Sequence, residues 1–113
     1  MGSAGILSDR RGRHDAFFKK AQRENFAARA VYKLQEIDER YRLFTPGKRV
    51  LDLGCRPGSW LQYAGQKVGS QGALVGIDRQ PLQVAVKGAR ILIGDVFAIS
   101  PDELRGELPA FDV

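Results

Sequence analysis

Cysteine is almost absent from this chain: its 113 residues include one, Cys55. No internal disulfide can form, and the composition suits a reducing compartment, so a cytoplasmic protein is expected. Histidine, like methionine and tryptophan, also occurs once. Without a cluster of His and Cys at ligand spacing, no metal site is expected. No apolar run has the length of a secretory leader or approaches the roughly 20 residues of a membrane helix, so no membrane partner is read. Met1-Gly2 lacks the Ser or Thr at the sixth position that myristoylation favours. Two phosphate-binding signatures are missing as well. There is no Gly-x-Gly-x-x-Gly and no Gly-Lys-Ser/Thr after a strand.

What is present is Val50-Leu51-Asp52-Leu53-Gly54-Cys55-Arg56-Pro57-Gly58-Ser59-Trp60, an apolar strand feeding a glycine turn that opens a helix. Gly54 and Gly58 omit side chains where the chain turns sharply and where a ligand would approach the backbone. Asp52 sits at the strand end. Asp78 closes the next apolar run, Ala73-Leu74-Val75-Gly76-Ile77, where a carboxylate can accept both hydrogen bonds of a ribose diol. With the pyrophosphate and triphosphate signatures missing, the nucleoside cofactor that remains is S-adenosyl-L-methionine, which carries ribose and adenine but no phosphate. The competing reading is an ordinary tight turn in an α/β domain.

Charge is unevenly placed. Residues 1–49 carry 12 Lys and Arg against 6 Asp and Glu, whereas residues 50–113 carry 6 against 7. Such asymmetry is the footprint of a nucleic-acid-facing arm on a neutral body, the alternative being a solvated helix face. Residues 1–14 read as a disordered basic tail with Arg10, Arg11 and Arg13 available to phosphates. Residues 15–48 read as a basic helical segment. Asp15 would cap a short helix to about Arg23, and a longer helix would span roughly Phe26 to Arg42. Its buried stripe would be Phe26, Ala30, Leu34, Ile37 and Tyr41, with Arg29, Lys33, Glu36 and Arg40 alongside.

Thr45-Pro46-Gly47 breaks the chain before a strand at about Arg49 to Leu53. A helix from about Ser59 to Val68 follows, with Ser59 a possible cap, and Gly69-Ser70-Gln71-Gly72 ends it. Further strands are expected at about Ala73 to Ile77 and Ile91 to Ile93, a helix opening at Pro101, and another strand beginning at Phe111. Alternating strands and helices imply a parallel sheet with right-handed crossovers. At 113 residues the chain is one small domain, well under the size of a complete doubly wound fold. A strand beginning at Phe111 would lie beside the first strand, and its truncation would expose an apolar edge, so marginal stability or self-association is expected.

Phe18-Lys19-Lys20-Ala21-Gln22, Arg29-Ala30-Val31-Tyr32-Lys33-Leu34-Gln35-Glu36-Ile37, Pro46-Gly47 and the Asp52-to-Trp60 loop together resemble the FtsJ/RrmJ family of ribose 2′-O-methyltransferases over nearly the whole chain. The resemblance implies an α/β Rossmann-like fold, truncated after its third strand and the start of its fourth, with residues 49–113 forming the first half of the cofactor domain. It implies S-adenosyl-L-methionine as donor and a ribose 2′-hydroxyl in RNA as acceptor, typically in the large ribosomal subunit. By matching position, Gly58 and Trp60 would lie against the cofactor with Asp52, Gly54 and Ser59 nearby; Asp78 would hold its ribose and Asp95 would face its adenine. Lys33 would be the first of the family's catalytic Lys, Asp, Lys, Glu. The RNA-facing residues would be Arg10, Arg11, Arg13, Lys19, Lys20, Arg23 and Arg29.

The sequence departs from the family pattern in the loop, where Cys55-Arg56 replaces a small pair and Ser59 a glycine. The other three catalytic residues are expected downstream of position 113, so the chain alone is expected to be inactive. A lysine makes chemical sense at the acceptor because the hydroxyl proton must be removed, or the developing anion stabilised, as the oxygen lines up behind the methyl group. Cys55 reads as packing. The alternatives are a non-catalytic RNA-binding module and a methyltransferase acting on a non-RNA substrate.

Overall fold

The computed structural model describes residues 16, 19–21, 23, 24 and 26–113. Arg10, Arg11, Arg13, the tail that holds them and the expected cap Asp15 lie outside the described residues. Ala16, Lys19, Lys20, Ala21 and Arg23 are helical. Then follow α1 (Val31–Tyr41), β1 (Arg49–Leu53), α2 (Ser59–Val68), β2 (Ala73–Asp78), β3 (Ala89–Ile93) and α3 (Pro101–Arg105). The strands form one parallel sheet in the order β1-β2-β3, with Leu51 paired to Val75 and Gly76 to Ile91. This is the first half of a Rossmann-like arrangement, as the alternation of elements implied.

β2 is the central strand, and Leu74, Val75, Gly76 and Ile77 are all buried, as a parallel strand covered on both faces requires. Leu61, Ala64 and Val68 bring one stripe of α2 into the core. Gly76 is there for space. A Cβ on it would stand 2.8 Å from both Cys55 Sγ and Leu61 Cδ1, so the loop and helix close onto the strand only over a bare backbone.

Residues Phe111 to Val113 run along β1. Val113 N–H donates to the Arg49 carbonyl at 3.2 Å and its carbonyl accepts from Leu51 N–H at 2.9 Å, the spacing of a parallel pairing. Arg49 reinforces it with two side-chain bonds of 3.0 Å to the Asp112 carboxylate. The expected neighbour of β1 is therefore in place.

Two expectations are corrected. The long helix begins at Val31, not Phe26: Phe26 N–H closes on Ala21 O of the preceding helical segment, Ala27 N–H donates to Gln62 Oε1 of α2, and residues 26–30 form a bend and turn before the helix. The buried stripe shifts accordingly. Val31, Tyr32, Leu34 and Asp38 are buried, Ala30 is exposed and Tyr41 is 63% exposed, while Arg29, Lys33, Glu36 and Arg40 face solvent as expected. Secondly, Ser59 is not the cap of α2. That place is taken by Gly58 at φ 118° with no side-chain bond, and Ser59 is buried as the first helical residue. The later helix does have a side-chain cap, Ser100 Oγ accepting from Glu103 N–H at 3.2 Å. Among the described residues no helix is long and apolar enough to cross a membrane.

Candidate functional site

The turn after β1 folds back on the end of β2. Gly54 N–H and Cys55 N–H both donate to the Ile77 carbonyl, at 2.8 and 3.1 Å, and Arg56 N–H donates to Asp78 Oδ2 at 3.1 Å. Three consecutive amides of the glycine turn are thus engaged within the protein. A phosphate cradle needs such amides free. The local geometry therefore suits a ligand without phosphate, and it depends on Gly54 and Gly58 at φ 77° and 118°, a region costly for side-chain-bearing residues.

Asp78 Oδ1 accepts from Gln80 N–H at 3.1 Å. The Gln80 and Arg56 amides hold this carboxyl below the usual carboxylate range, so it stays charged at neutral pH. Asp95, after β3, accepts Phe97 N–H on Oδ1 at 2.9 Å and the Arg79 guanidinium on Oδ2 at 3.1 Å. Gly54, Asp78, Arg79, Asp95, Val96 and Phe97 wall one cavity of about 280 Å³ at the carboxyl ends of the strands. Phe97 is 93% exposed at its rim. Three of the cofactor residues expected from the sequence, Gly54, Asp78 and Asp95, are brought together here.

The others are elsewhere. Asp52 and Trp60 line a second cavity of about 290 Å³ with Leu34, Ile37, Leu61 and Val113. Gly58 lies under the following loop, where a Cβ would meet Val84 at 3.0 Å and Leu82 at 3.4 Å, so neither it nor buried Ser59 lines the first cavity. Trp60 Nε1 donates to the Ala30 carbonyl at 3.3 Å, which ties α2 to the segment before α1. Burial, with the charge of Asp78 added, pushes the Asp52 carboxyl up to about 6. Burial, with the charges of Asp52 and Asp78, pushes the Cys55 thiol up to about 11, which disfavours the thiolate and fits packing rather than nucleophilic chemistry.

Lys33 is exposed on α1. Lys19, Arg23 and Arg29 are also exposed. Lys20 is partly committed, its Nζ 4.6 Å from the centre of the Tyr32 ring and 3.9 Å from Glu24 Oε1. Sequence reasoning missed Arg79, whose only signal was its place one residue after the expected ribose-binding Asp78. Phe97 was missed as well, standing two residues beyond Asp95.

Known proteins are similar to this chain. The family described as FtsJ-like methyltransferase matches residues 26–112. The "Ribosomal RNA large subunit methyltransferase E" of Bdellovibrio bacteriovorus is 43% identical over 102 residues, covering 88% of this chain and 52% of that protein. The protein of the same name in Syntrophobacter fumaroxidans is 51% identical over 83 residues, covering 73% of this chain and 42% of that protein. A solved structure described as a ribosomal RNA methyltransferase, from Plasmodium falciparum, aligns with a TM-score of 0.58 at 30% identity, over 63% of this chain and 39% of that one. The chain spans about half the length of the curated relatives it matches. A match running from before α1 to the segment paired with β1, on a parallel sheet with its glycine turn in place, establishes that this chain belongs to the FtsJ-like methyltransferase family.

Proposed function

We propose that this chain is the donor-binding part of an S-adenosyl-L-methionine-dependent methyltransferase that modifies a ribose 2′-hydroxyl in large-subunit ribosomal RNA. The observation that carries the reading is the pair of carboxylates, Asp78 and Asp95, on one cavity beside a turn whose amides are already engaged. A ribose diol offers two donors and suits Asp78; an adenine amine offers donors and suits Asp95. No phosphate contact is required. Asp52 lines the neighbouring cavity with Trp60, and a donor whose cationic end reached it there would favour the ionised form of its carboxyl.

When bound, the donor supplies an activated methyl group with its own leaving group. This chain's part is to orient that group and bring RNA to it. Exposed Lys19, Arg23, Arg29 and Lys33 supply phosphate contacts or, for Lys33, the group that faces the acceptor hydroxyl. Only Lys33 of the family's four catalytic residues falls in residues 1–113, so donor binding without methyl transfer is the expected behaviour of the chain by itself.

Calorimetric titration of S-adenosylmethionine into the purified chain tests the donor site. Binding that falls more than about tenfold in Asp78→Asn is expected, whereas no binding in the wild type refutes the reading. Retention of a ribosomal RNA fragment that weakens steeply with salt, and weakens further in Lys19→Glu/Arg23→Glu, supports the RNA assignment. Salt-insensitive retention would favour a non-RNA acceptor.

A further inference from the structure

β2 and β3 end side by side, with Asp78 opposite Ile93, and the ladder closes where Gly94 N–H donates to the Asp78 carbonyl at 2.9 Å. One step further the connection passes to side chains: Arg79 Nη2 meets Asp95 Oδ2 at 3.1 Å. Both residues line the cavity that holds Asp78 and Gly54. The Asp95 main chain is fixed, because its carbonyl accepts from the amides of Ala98 and Ile99 at 2.9 and 3.1 Å. Its Oδ1 is fixed by Phe97 N–H. With that bond alone the carboxylate could still pivot about Oδ1. The Arg79 guanidinium, bonded to Oδ2, restrains that pivot.

A carboxylate oxygen has two acceptor directions, and Arg79 takes one of those on Oδ2. The other is left in a set orientation. We propose that Arg79 is a positioning residue for purine selection: by holding Asp95 Oδ2 it aims the remaining acceptor direction at a 6-amino group and against a 6-carbonyl. The assignment rests on Asp95 being the contact to the adenine of the donor. The contact is a single Nη2–Oδ2 bond, which a planar guanidinium donates in a fixed direction, whereas an ammonium acts as a point charge. A site built to accept from an amine discriminates because the carbonyl analogue brings an acceptor to an acceptor.

Folding stability does not explain the pair. The Arg79 side chain is 74% exposed, and exposed ion pairs add little to stability. Loss of Arg79 should therefore leave the melting temperature nearly unchanged, so an effect on ligand choice can be read without an effect on the fold.

The test titrates S-adenosylhomocysteine and its inosine counterpart, S-inosylhomocysteine, into the purified chain, its Arg79→Ala variant and its Arg79→Lys variant. The wild type is expected to prefer the adenine ligand. Arg79→Ala should lose roughly 3- to 10-fold in affinity for that ligand, the size of one ordinary hydrogen bond left poorly aimed, and should bind the inosine ligand as before. Arg79→Lys should fall between them. Unchanged adenine preference in Arg79→Ala, or equal weakening toward both ligands, overturns the assignment while leaving the donor site intact. A wild-type chain that binds neither ligand overturns the donor-site reading, and this assignment with it.

Discussion

Tyr63 of α2 donates its hydroxyl to Asp38 Oδ2 of α1 at 2.7 Å, and both residues are buried. The other oxygen, Oδ1, accepts Phe44 N–H at 2.8 Å, so one carboxylate joins the end of α1, the chain leaving it and α2. Burial and this bond push the Tyr63 hydroxyl well above its ordinary range. Near the other end of α1, Trp60 reaches the Ala30 carbonyl and Gln62 accepts from Ala27 N–H at 2.8 Å. The helix that opens from the glycine turn thus holds the Lys33 helix on both sides of Lys33.

Tyr63→Phe removes one donor and leaves a buried carboxylate oxygen short of a partner. It should destabilise the chain by about 1.5–3 kcal/mol, the range for a hydrogen bond to a charged group. Asp38→Ala, which also abandons Phe44 N–H, should cost more. Urea unfolding checks both, and a loss in Tyr63→Phe below about 0.5 kcal/mol would mean the contact is not a structural anchor.

The boundaries legible in the sequence were those marked by backbone chemistry. Pro46-Gly47, Gly54 and Gly69 bracket β1 and α2, and both elements run as expected. The early end of α1 was not legible because the Ala27 amide is taken by a glutamine 35 residues later, a long-range bond with no local signature. Asp38 was hidden for the same reason. Once the helix starts at Val31, Asp38 continues the stripe of Val31 and Leu34, and a carboxylate on a buried stripe signals a partner; counted from Phe26, it falls off the stripe. At the site, the sequence singled out Gly54 and Asp78 because they stand at strand ends, and Asp95 through the family resemblance; the three line one cavity. It did not separate Trp60 and Asp52 into a different cavity, which depends on how α1 packs.

Asp52 makes the chain more stable as pH falls over a defined window. Its carboxyl titrates near 3.8 when unfolded and near 6 when folded. The unfolded state is therefore the better home for the charge, and the penalty is complete above about 6, shrinks on acidification and vanishes below 3.8. Asp78 acts in the opposite sense, since its carboxyl is lowered and its contribution is lost only below that range. Asp52→Asn should raise stability at pH 7 by on the order of 1–3 kcal/mol and flatten the change between pH 6 and 4. Urea unfolding at the two pH values measures it. The same variant should bind the donor more weakly, as expected where a destabilising charge serves a ligand.

Arg49 and Asp112 should matter locally. The guanidinium bonds both carboxylate oxygens at 3.0 Å and holds the Asp112 carboxyl well below its usual range. Arg49→Ala should loosen the Phe111 to Val113 segment from β1 without unfolding β2. The Leu51 amide, bonded to Val113, should then exchange with solvent much faster, while the buried β2 amides keep their protection. Equal acceleration in both strands would show instead that the pairing is part of the global unfolding unit.

Gly76 and Cys55 should be energetically coupled. A methyl on Gly76 would stand 2.8 Å from Cys55 Sγ and from Leu61 Cδ1 and 3.0 Å from Cys55 Cβ, so Gly76→Ala must displace the glycine turn, α2 or both. Overpacking of this kind costs about 1–3 kcal/mol. Cys55→Ala deletes the sulfur and leaves a small void of its own, but in the double variant the new methyl can occupy part of that void. The double variant should therefore be more stable than the sum of the single losses predicts, by roughly 0.5–2 kcal/mol, because the two changes share one volume. Strict additivity in urea unfolding would mean that Leu61 or the Cys55 Cβ, not the sulfur, sets the limit at this contact. In that event Gly76→Ala should be relieved by Leu61→Ala if Leu61 is the limit, and by Cys55→Gly if the Cys55 Cβ is.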